Sequence, residues 1–444
     1  MDPFTYINSL SLFGEKGGYM PGLIRIKKLL SYLGNPEEGL KVIHLAGTNG
    51  KGSTAVFIES IYRKAGYKTA LFTSPHFFHF NERIKVNGRA ASTYELQEIV
   101  EEVKSAAEKL KNEKKYGEAS FFEVTTALAL LYFKRHQAEI VILETGLGGR
   151  LDATNVIKKP LLSIITNIDL EHTRILGNTV EEISAEKAGI IKDKSKVLTA
   201  VEDRKALKVI KDKAAETDSE LIILDKEYDK ISSSSSLNNH QIEIKINGEL
   251  KIYEISLLGI HQARNAALAV KTAELLNNIF PVSEKNIKSG LASVFWPGRM
   301  QKVKDKPLII IDAAHNPSAF KKLADSIKKA EREFASIHFI FSVLNDKNVE
   351  KMLNNFIYFK NKLNFYLAEN SSFRTLKLDK LEYEVKKMGF NYNLFSNLSE
   401  AAENSYSNSR DNDLIIAAGS FYTVFESGVS FMTKIFRGGK NEKK

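Results

Sequence analysis

The 444-residue chain contains no cysteine. Disulfides, thiolate metal centres and cysteine nucleophiles are therefore excluded, an absence that fits the cytosol. It also lacks any apolar run of the ~18–20 residues that would cross a membrane. The opening Met1-Asp2-Pro3-Phe4 lacks the basic-then-apolar pattern of a signal peptide. We therefore expect a cytoplasmic chain with no membrane partner. Charge of one sign is in modest excess, with 64 Lys and Arg against 54 Asp and Glu and a formal net charge of +10. That excess does not by itself indicate nucleic acid. Basic and acidic residues interleave, as in Glu101-Glu102-Val103-Lys104, the pattern of a solvated helix face. An anionic small substrate suits the excess equally well. With 43% hydrophobic and 27% charged residues, the composition is that of a globular protein. The length exceeds what one core usually organises, so two or three domains are expected.

The most informative segment is Ala46-Gly47-Thr48-Asn49-Gly50-Lys51-Gly52-Ser53-Thr54, directly after the apolar run Val42-Ile43-His44-Leu45. A strand that ends in a Gly- and Lys-rich turn and feeds a helix has the layout of a phosphate cradle. The glycines let backbone N–H groups turn inward, Lys51 brings a point charge, and a helix beginning near Ser53 adds its positive end. The spelling departs from G-x-x-x-x-G-K-[ST]: position 45 is Leu, and Gly52 separates Lys51 from Ser53. Taken alone, the motif leaves an ordinary glycine-rich turn open.

Short β-rich runs at 42–46, 69–73, 140–144, 161–167 and 197–200 alternate with helical patterns at 54–65, 93–110, 122–134 and 180–191. This alternation predicts an α/β fold, a P-loop-type parallel sheet domain with helices on both faces. Residues 229–256 break the rhythm. The serine run 232–236 reads as a flexible connector, and 241–246 and 250–255 flank Asn247-Gly248, a hairpin signal. A helix is expected over 262–278. After Phe295-Trp296-Pro297-Gly298-Arg299 the alternation resumes at 308–312, 337–343, 365–367 and 414–418. This predicts a smaller Rossmann-like C-terminal α/β domain, giving domains at 1–296 and 297–444 with a ligand cleft between them.

The strand ends carry polar chemistry. Thr73-Ser74-Pro75-His76 closes the second strand, Glu144 ends a strongly apolar one, and Asn167-Ile168-Asp169-Leu170-Glu171-His172 follows the next. A hydroxyl, a carboxylate and an imidazole at one sheet edge suit a hard metal ion beside a phosphate. Each also fits a plainer role: Ser74 as a cap, Glu144 paired with Arg150, His172 as a loop residue. Asp312-Ala313-Ala314-His315-Asn316-Pro317 follows Leu308-Ile309-Ile310-Ile311 at another strand end, just before a helix expected near Pro317. Turn and capping roles for Asp312 and Asn316 remain open. Arg299 reads either as a bidentate phosphate donor or as a surface arginine in a linker.

These residues resemble one family. Gly47-Thr48-Asn49-Gly50-Lys51-Gly52-Ser53 is similar to the nucleotide loop of the Mur ligase superfamily. Its folate branch is folylpolyglutamate synthase, with or without dihydrofolate synthase activity. That branch is resembled by Thr73-Ser74-Pro75-His76 with Glu82-Arg83-Ile84, by residues 144–155 and 170–192, and by Trp296-Pro297-Gly298-Arg299. His261-Gln262-Ala263-Arg264-Asn265-Ala266 and residues 312–317 match as well, so the resemblance runs from about Tyr6 to Gly419-Ser420-Phe421-Tyr422. It implies a central-type ATP-binding domain followed by a glutamate ligase domain.

The implied enzyme phosphorylates the γ-carboxylate of a reduced folate with ATP. The amine of L-glutamate then attacks the acyl phosphate. Its partners would be small molecules only, its state a monomer, and dihydropteroate a second acceptor. By the resemblance, Gly47, Thr48, Asn49, Gly50, Lys51, Gly52 and Ser53 hold ATP together with Asn265, Arg299 and Asp312. Ser74 and Glu144 hold one Mg²⁺, and Glu144 with His172 a second; K⁺ is not assigned. Lys51, Lys187, Asp312 and His315 are the implied catalytic residues, and Lys187 matches a lysine that CO₂ carbamylates. Read without the family, Lys187 would be a surface lysine. Phe77, Phe78 and Arg83 are implied at the folate; Phe77, Phe78 and Phe80 suit either pterin stacking or a core cluster. Two departures are Glu171 in place of the usual Asp and Ala313 in place of the usual Gly. A Mur-type peptidoglycan ligase shares the phosphate loop but not segments 144–155 and 186–192. A P-loop GTPase or nucleic-acid-dependent ATPase would want an Asn-Lys-x-Asp base reader, to which Asn167-Ile168-Asp169 comes nearest.

Overall fold

Runs of Val, Ile and Leu that stay apolar on both faces are the sequence of buried parallel strands, and they form the centre of two sheets here. The computed structural model describes residues 4–11, 22–113, 115–235, 240–246 and 248–438. The chain divides into two compact units: Met1–Ser232 with Glu243–Glu254 and Ala263–Val294, and Ser233–Ile242 with Ile255–Gln262 and Phe295–Lys444.

The first unit holds eight strands: β1 (Val42–Ala46), β2 (Thr69–Phe72), β3 (Ile84–Val86), β4 (Arg89–Ala90), β5 (Ile140–Glu144), β6 (Leu162–Ile165), β7 (Lys196–Thr199) and β8 (Glu220–Ile223). They lie in the order β4-β3-β2-β5-β1-β6-β7-β8. From β2 to β8 every pairing is parallel, whereas β3 and β4 turn back antiparallel at one edge. Every residue of β1 and β5 is buried, so both faces of the sheet are covered at its centre. One face packs Val42, Phe72, Val141 and Leu143 against the helices Ile24–Tyr32, Thr93–Asn112 and Phe121–Arg135. Strand order reverses at β1, which has β5 on one side and β6 on the other. Leu45 pairs with Glu144 and Ala46 with Ile165, so the ends of three strands open on one edge at this switch point.

Three strands, β9 (Lys230–Ser235), β10 (His240–Ile246) and β11 (Glu249–Glu254), form a sheet in the order β11-β10-β9. The expected hairpin is present on both sides of its turn; Asn247 itself lies outside the described residues. The serine run is a correction, because residues 232–235 belong to β9 rather than to a flexible connector. Ladder bonds use only the backbone, and Ser232 Oγ adds a 3.0 Å bond to Glu243.

The second unit holds β12 (Gln301–Asp305), β13 (Leu308–Asp312), β14 (Ile337–Phe341), β15 (Leu363–Leu367), β16 (Asn391–Leu394) and β17 (Leu414–Ala418), in the order β12-β13-β17-β14-β15-β16. All pairings are parallel except that of the edge strand β12. Phe320, Phe339, Phe341, Phe356 and Phe365 fill its core, with Phe339 5.0 Å from Phe356 and 5.2 Å from Phe365 between ring centroids. Asp312 ends β13 opposite Ala418 of β17. The short strands β3, β4, β8, β12 and β16 lie outside the sequence expectation, and β6 is shorter than the expected 161–167.

Candidate active site

The chain leaves β1 through Gly47, which lies so close to β6 that a Cβ would fall 1.9 Å from Thr166 Oγ1. Gly50, at φ +84°, caps the helix Lys51–Lys64, and a Cβ there would meet Asn265 Oδ1 at 2.5 Å. Glycine takes both positions without strain, and the helix starts at Lys51 rather than near Ser53. The loop amides are not equivalent. Thr48 N–H donates to Asn167 O at 2.8 Å and Asn49 N–H to Asn167 Oδ1 at 2.7 Å. The end of β6 therefore engages these two amides. The positive end of the helix Lys51–Lys64, with Lys51 in its first turn, is the part of the loop suited to an anion.

Two lysines converge on one carbonyl. Lys51 Nζ donates to Gly47 O at 2.9 Å, and Lys187 Nζ donates to the same oxygen at 2.8 Å. Lys187 is only 4% exposed, so the surface-lysine alternative does not hold. Burial first, and then the charge of Lys51, pull its pKa down to about 7, against the opposing pull of Glu171, Asp152 and Asp169.

The segment after Glu144 explains how a lysine is held there. Gly149 presses on the end of the helix Val180–Ala188: a Cβ would lie 2.8 Å from Glu186 O and from Lys187 O. Arg150 N–H donates to Glu186 O at 2.7 Å, and Asn155 Nδ2 bridges Arg150 O and Gly189 O at 3.0 and 2.9 Å. The buried Asp152 accepts the N–H groups of Gly146, Leu147 and Thr154 at 2.8–3.0 Å, and so organises the loop. Burial raises the Asp152 pKa, while Thr154, Leu147, Thr154 N–H and Gly146 pull it back. Arg150 pairs with Glu186 at 2.6 Å rather than with Glu144.

Glu144 is buried at the rim of β5 and accepts the N–H of Ser74 at 3.1 Å. A carboxylate and a hydroxyl-bearing residue side by side are hard oxygen donors and fit Mg²⁺, which keeps several of its own waters. Arg83 lies near Glu144: burial lowers its pKa to about 10, against the pull of Glu144 and Glu82. Arg83 Nε–H donates to His76 Nδ1 at 2.8 Å and the guanidinium stands 5.2 Å over the Phe121 ring. Burial, then Arg83, lowers the His76 pKa to about 4. The aromatic trio divides. Phe80 is core, packed on Phe4 and Phe121 at 4.9 and 6.2 Å. Phe77 is half-buried and Phe78 exposed, and Glu82 accepts both of their amides at 2.8 Å. His172 is exposed, sits at φ +51° and starts the short helix Thr173–Leu176. Among the described residues no three His, Asp or Glu side chains form a ready metal cluster.

The second unit builds its own cluster. Asp312 is buried and accepts Met300 N–H at 2.7 Å and Ala314 N–H at 2.8 Å. Burial raises its pKa, with Arg299 foremost in opposing that. Arg299 lies 5.5 Å over the Phe421 ring, and the His315 ring is 5.9 Å from the same phenyl group. Asn316 caps the helix Pro317–Lys329 by accepting Ala319 N–H at 2.8 Å, as its plainer reading had it. Sequence reasoning gave no role to Thr166, Asp152 or Phe421, and read Asn167 and Asp169 only as a poor match to a base reader. Asp152-Ala153-Thr154 carries a turn signature; Phe421 carries no signal.

Residues 45–273 match a family model described as the Mur ligase middle domain, and residues 298–421 one described as the Mur ligase, glutamate ligase domain. The chain is 42% identical to the dihydrofolate synthase/folylpolyglutamate synthase of Bacillus subtilis over 360 residues, which is 79% of this chain and 81% of that protein. The chain belongs to the folylpolyglutamate synthase/dihydrofolate synthase family. Two solved members of this synthase family are similar throughout. Escherichia coli FolC in complex with DHPP and ADP superposes with a TM-score of 0.84 at 28% identity, covering 98% of this chain and 99% of that one. Mycobacterium tuberculosis folylpolyglutamate synthase complexed with ADP and AMPPCP gives 0.83 at 27% identity, covering 93% and 95%.

Proposed function

We propose that this chain is an ATP-dependent ligase that joins L-glutamate to the γ-carboxylate of tetrahydrofolate through an acyl phosphate, extending a poly-γ-glutamate tail. Dihydropteroate is a second acceptor, in keeping with the twofold name of the Bacillus subtilis relative. The observation that carries the reading is the pair Lys51 and Lys187 on Gly47 O, beside the buried Glu144 at the switch point of the sheet. The Lys51 ammonium and a helix N-terminus favour a polyphosphate there, and a buried setting strengthens the charge while keeping water from a reactive acyl phosphate. ATP is assigned to residues 47–53 with Asn265, Arg299 and Asp312. Ser74 and Glu144 would hold one Mg²⁺, and Glu144 with His172 a second. Such an ion neutralises charge on the phosphates when bound.

Asp312 and His315 are assigned to the chemistry, and Phe77, Phe78 and Arg83 to the folate. Lys187 is the proposed site of carbamylation: burial draws its pKa down to about 7, so near neutral pH a sizeable share of it is the free amine that attack on CO₂ requires. The test is ATP-dependent incorporation of labelled glutamate into tetrahydrofolate, run beside dihydropteroate and muramyl-peptide acceptors. Turnover on the muramyl acceptor alone, or phosphate release that depends on nucleic acid, would refute the reading.

A further inference from the structure

We infer that Asn167 is a positioning residue for the nucleotide, its side-chain amide tying the Thr48-Asn49 turn to Asp169 and holding the loop ready for an anion. The inference rests on the reading of residues 47–53 as the nucleotide loop. Asn167 bonds in three directions. Its main-chain oxygen accepts Thr48 N–H at 2.8 Å, its Oδ1 accepts Asn49 N–H at 2.7 Å, and its Nδ2 donates to Asp169 Oδ2 at 2.8 Å. The amide orientation is chemically enforced, because a main-chain N–H can meet only an acceptor and an ionised carboxylate only a donor. Around it, Thr48 Oγ1 accepts Asp169 N–H at 3.1 Å and donates to Asp169 O at 3.2 Å. Thr166 Oγ1 donates to Asn49 O at 2.8 Å. Residues 48–49 and 166–169 are thus stitched together by side chains in both directions.

The loop needs such a latch. Gly47, Gly50 and Gly52 leave its backbone freer than any other residues would, and freedom lost on binding weakens affinity. With Asn49 clamped, Gly50 makes its left-handed turn at a fixed place, and the first turn of the helix Lys51–Lys64 keeps its direction. The same bonds speak against the base-reader alternative: the Asn167 amide is divided between Asn49 N–H and Asp169 Oδ2.

A polarity swap tests the latch in the full-length protein. Asn167→Asp still offers an acceptor to Asn49 N–H but sets a carboxylate against Asp169. Loss of one half-buried, charge-assisted bond is expected to raise the ADP dissociation constant and the KM for ATP about tenfold. kcat at saturating ATP and the KM for folate should stay within about twofold. Adding Asp169→Asn restores a donor facing an acceptor with the roles exchanged, and should bring ADP affinity back to within about threefold of wild type. Asp169→Asn alone is the control, and Asn167→Ala, which adds no charge, serves if Asn167→Asp fails to fold. Wild-type ADP affinity in Asn167→Asp and Asn167→Ala overturns the inference. So does a double variant no better than Asn167→Asp, or a fall in kcat with KM unchanged. A wild-type chain that binds no ADP in calorimetry refutes the nucleotide-loop reading itself, a different result from an intact site indifferent to residue 167.

Discussion

Replacing Lys187 with Met should stabilise the protein while it disables the enzyme. The lysine is 4% exposed and its pKa is drawn down to about 7, first by burial. In an unfolded chain the value is ~10.4, so between about pH 7 and 10 the unfolded state binds a proton that the folded state does not. Stability therefore rises with pH across that window by roughly 1.4 kcal/mol per pH unit, and is lost again as pH falls towards 7. Below about pH 7 both states are protonated and the slope vanishes. Near pH 7 the buried amine costs the fold about 4 kcal/mol by this linkage. Its hydrogen bond to Gly47 O returns ~1 kcal/mol, and that carbonyl keeps Lys51 as a donor at 2.9 Å after the substitution. Lys187→Met should therefore gain about 2–4 kcal/mol at pH 7 and almost nothing at pH 10. Urea unfolding of both proteins from pH 6.5 to 10, in CO₂-free buffer, reads the difference directly. If the two curves stay a constant distance apart, Lys187 titrates normally and the reasoning from burial is wrong.

Gly50→Ala should raise the KM for ATP by one to two orders of magnitude, because a Cβ at φ +84° would lie 2.5 Å from Asn265 Oδ1 and strain of ~1–3 kcal/mol must be relieved in the loop; unchanged ATP kinetics would refute the close approach. Glu144→Gln should abolish metal-dependent turnover with far-UV circular dichroism and Tm preserved, and normal activity at saturating Mg²⁺ would remove Glu144 from the ligand set. Phe78→Ala should weaken folate binding without changing stability, since its side chain is exposed, whereas Phe80→Ala should cost about 3–5 kcal/mol in urea unfolding as a core deletion. Equal effects of the two would contradict this division of the aromatic trio.

Much of the frame was legible because it depends on local pattern. The centre of each sheet came from largely apolar runs, and β1, β5, β13 and β17 span those runs. The edge strands were not legible: β4 has two residues and β3 three, too few to show a period, and they exist because a neighbouring strand offers a ladder. The serine run became a strand for the same reason.

The site shows the same division. Because parallel strands share one carboxyl edge, chain order alone placed Gly47, Ser74 and Glu144 on one side of a sheet, and Asp312 at the matching edge of another. Composition and spacing alone determined the α/β class and where a candidate phosphate loop stands. They did not determine which polar groups are spent and which remain. Asn167 reaches Asn49 across 118 residues, and Lys187 reaches Gly47 across 140. A lysine that reads as a surface charge becomes a buried amine only when Gly149 and Arg150 clamp its helix beneath the loop. Burial and partner choice depend on groups distant in sequence and adjacent in space, so only the tertiary structure decided them.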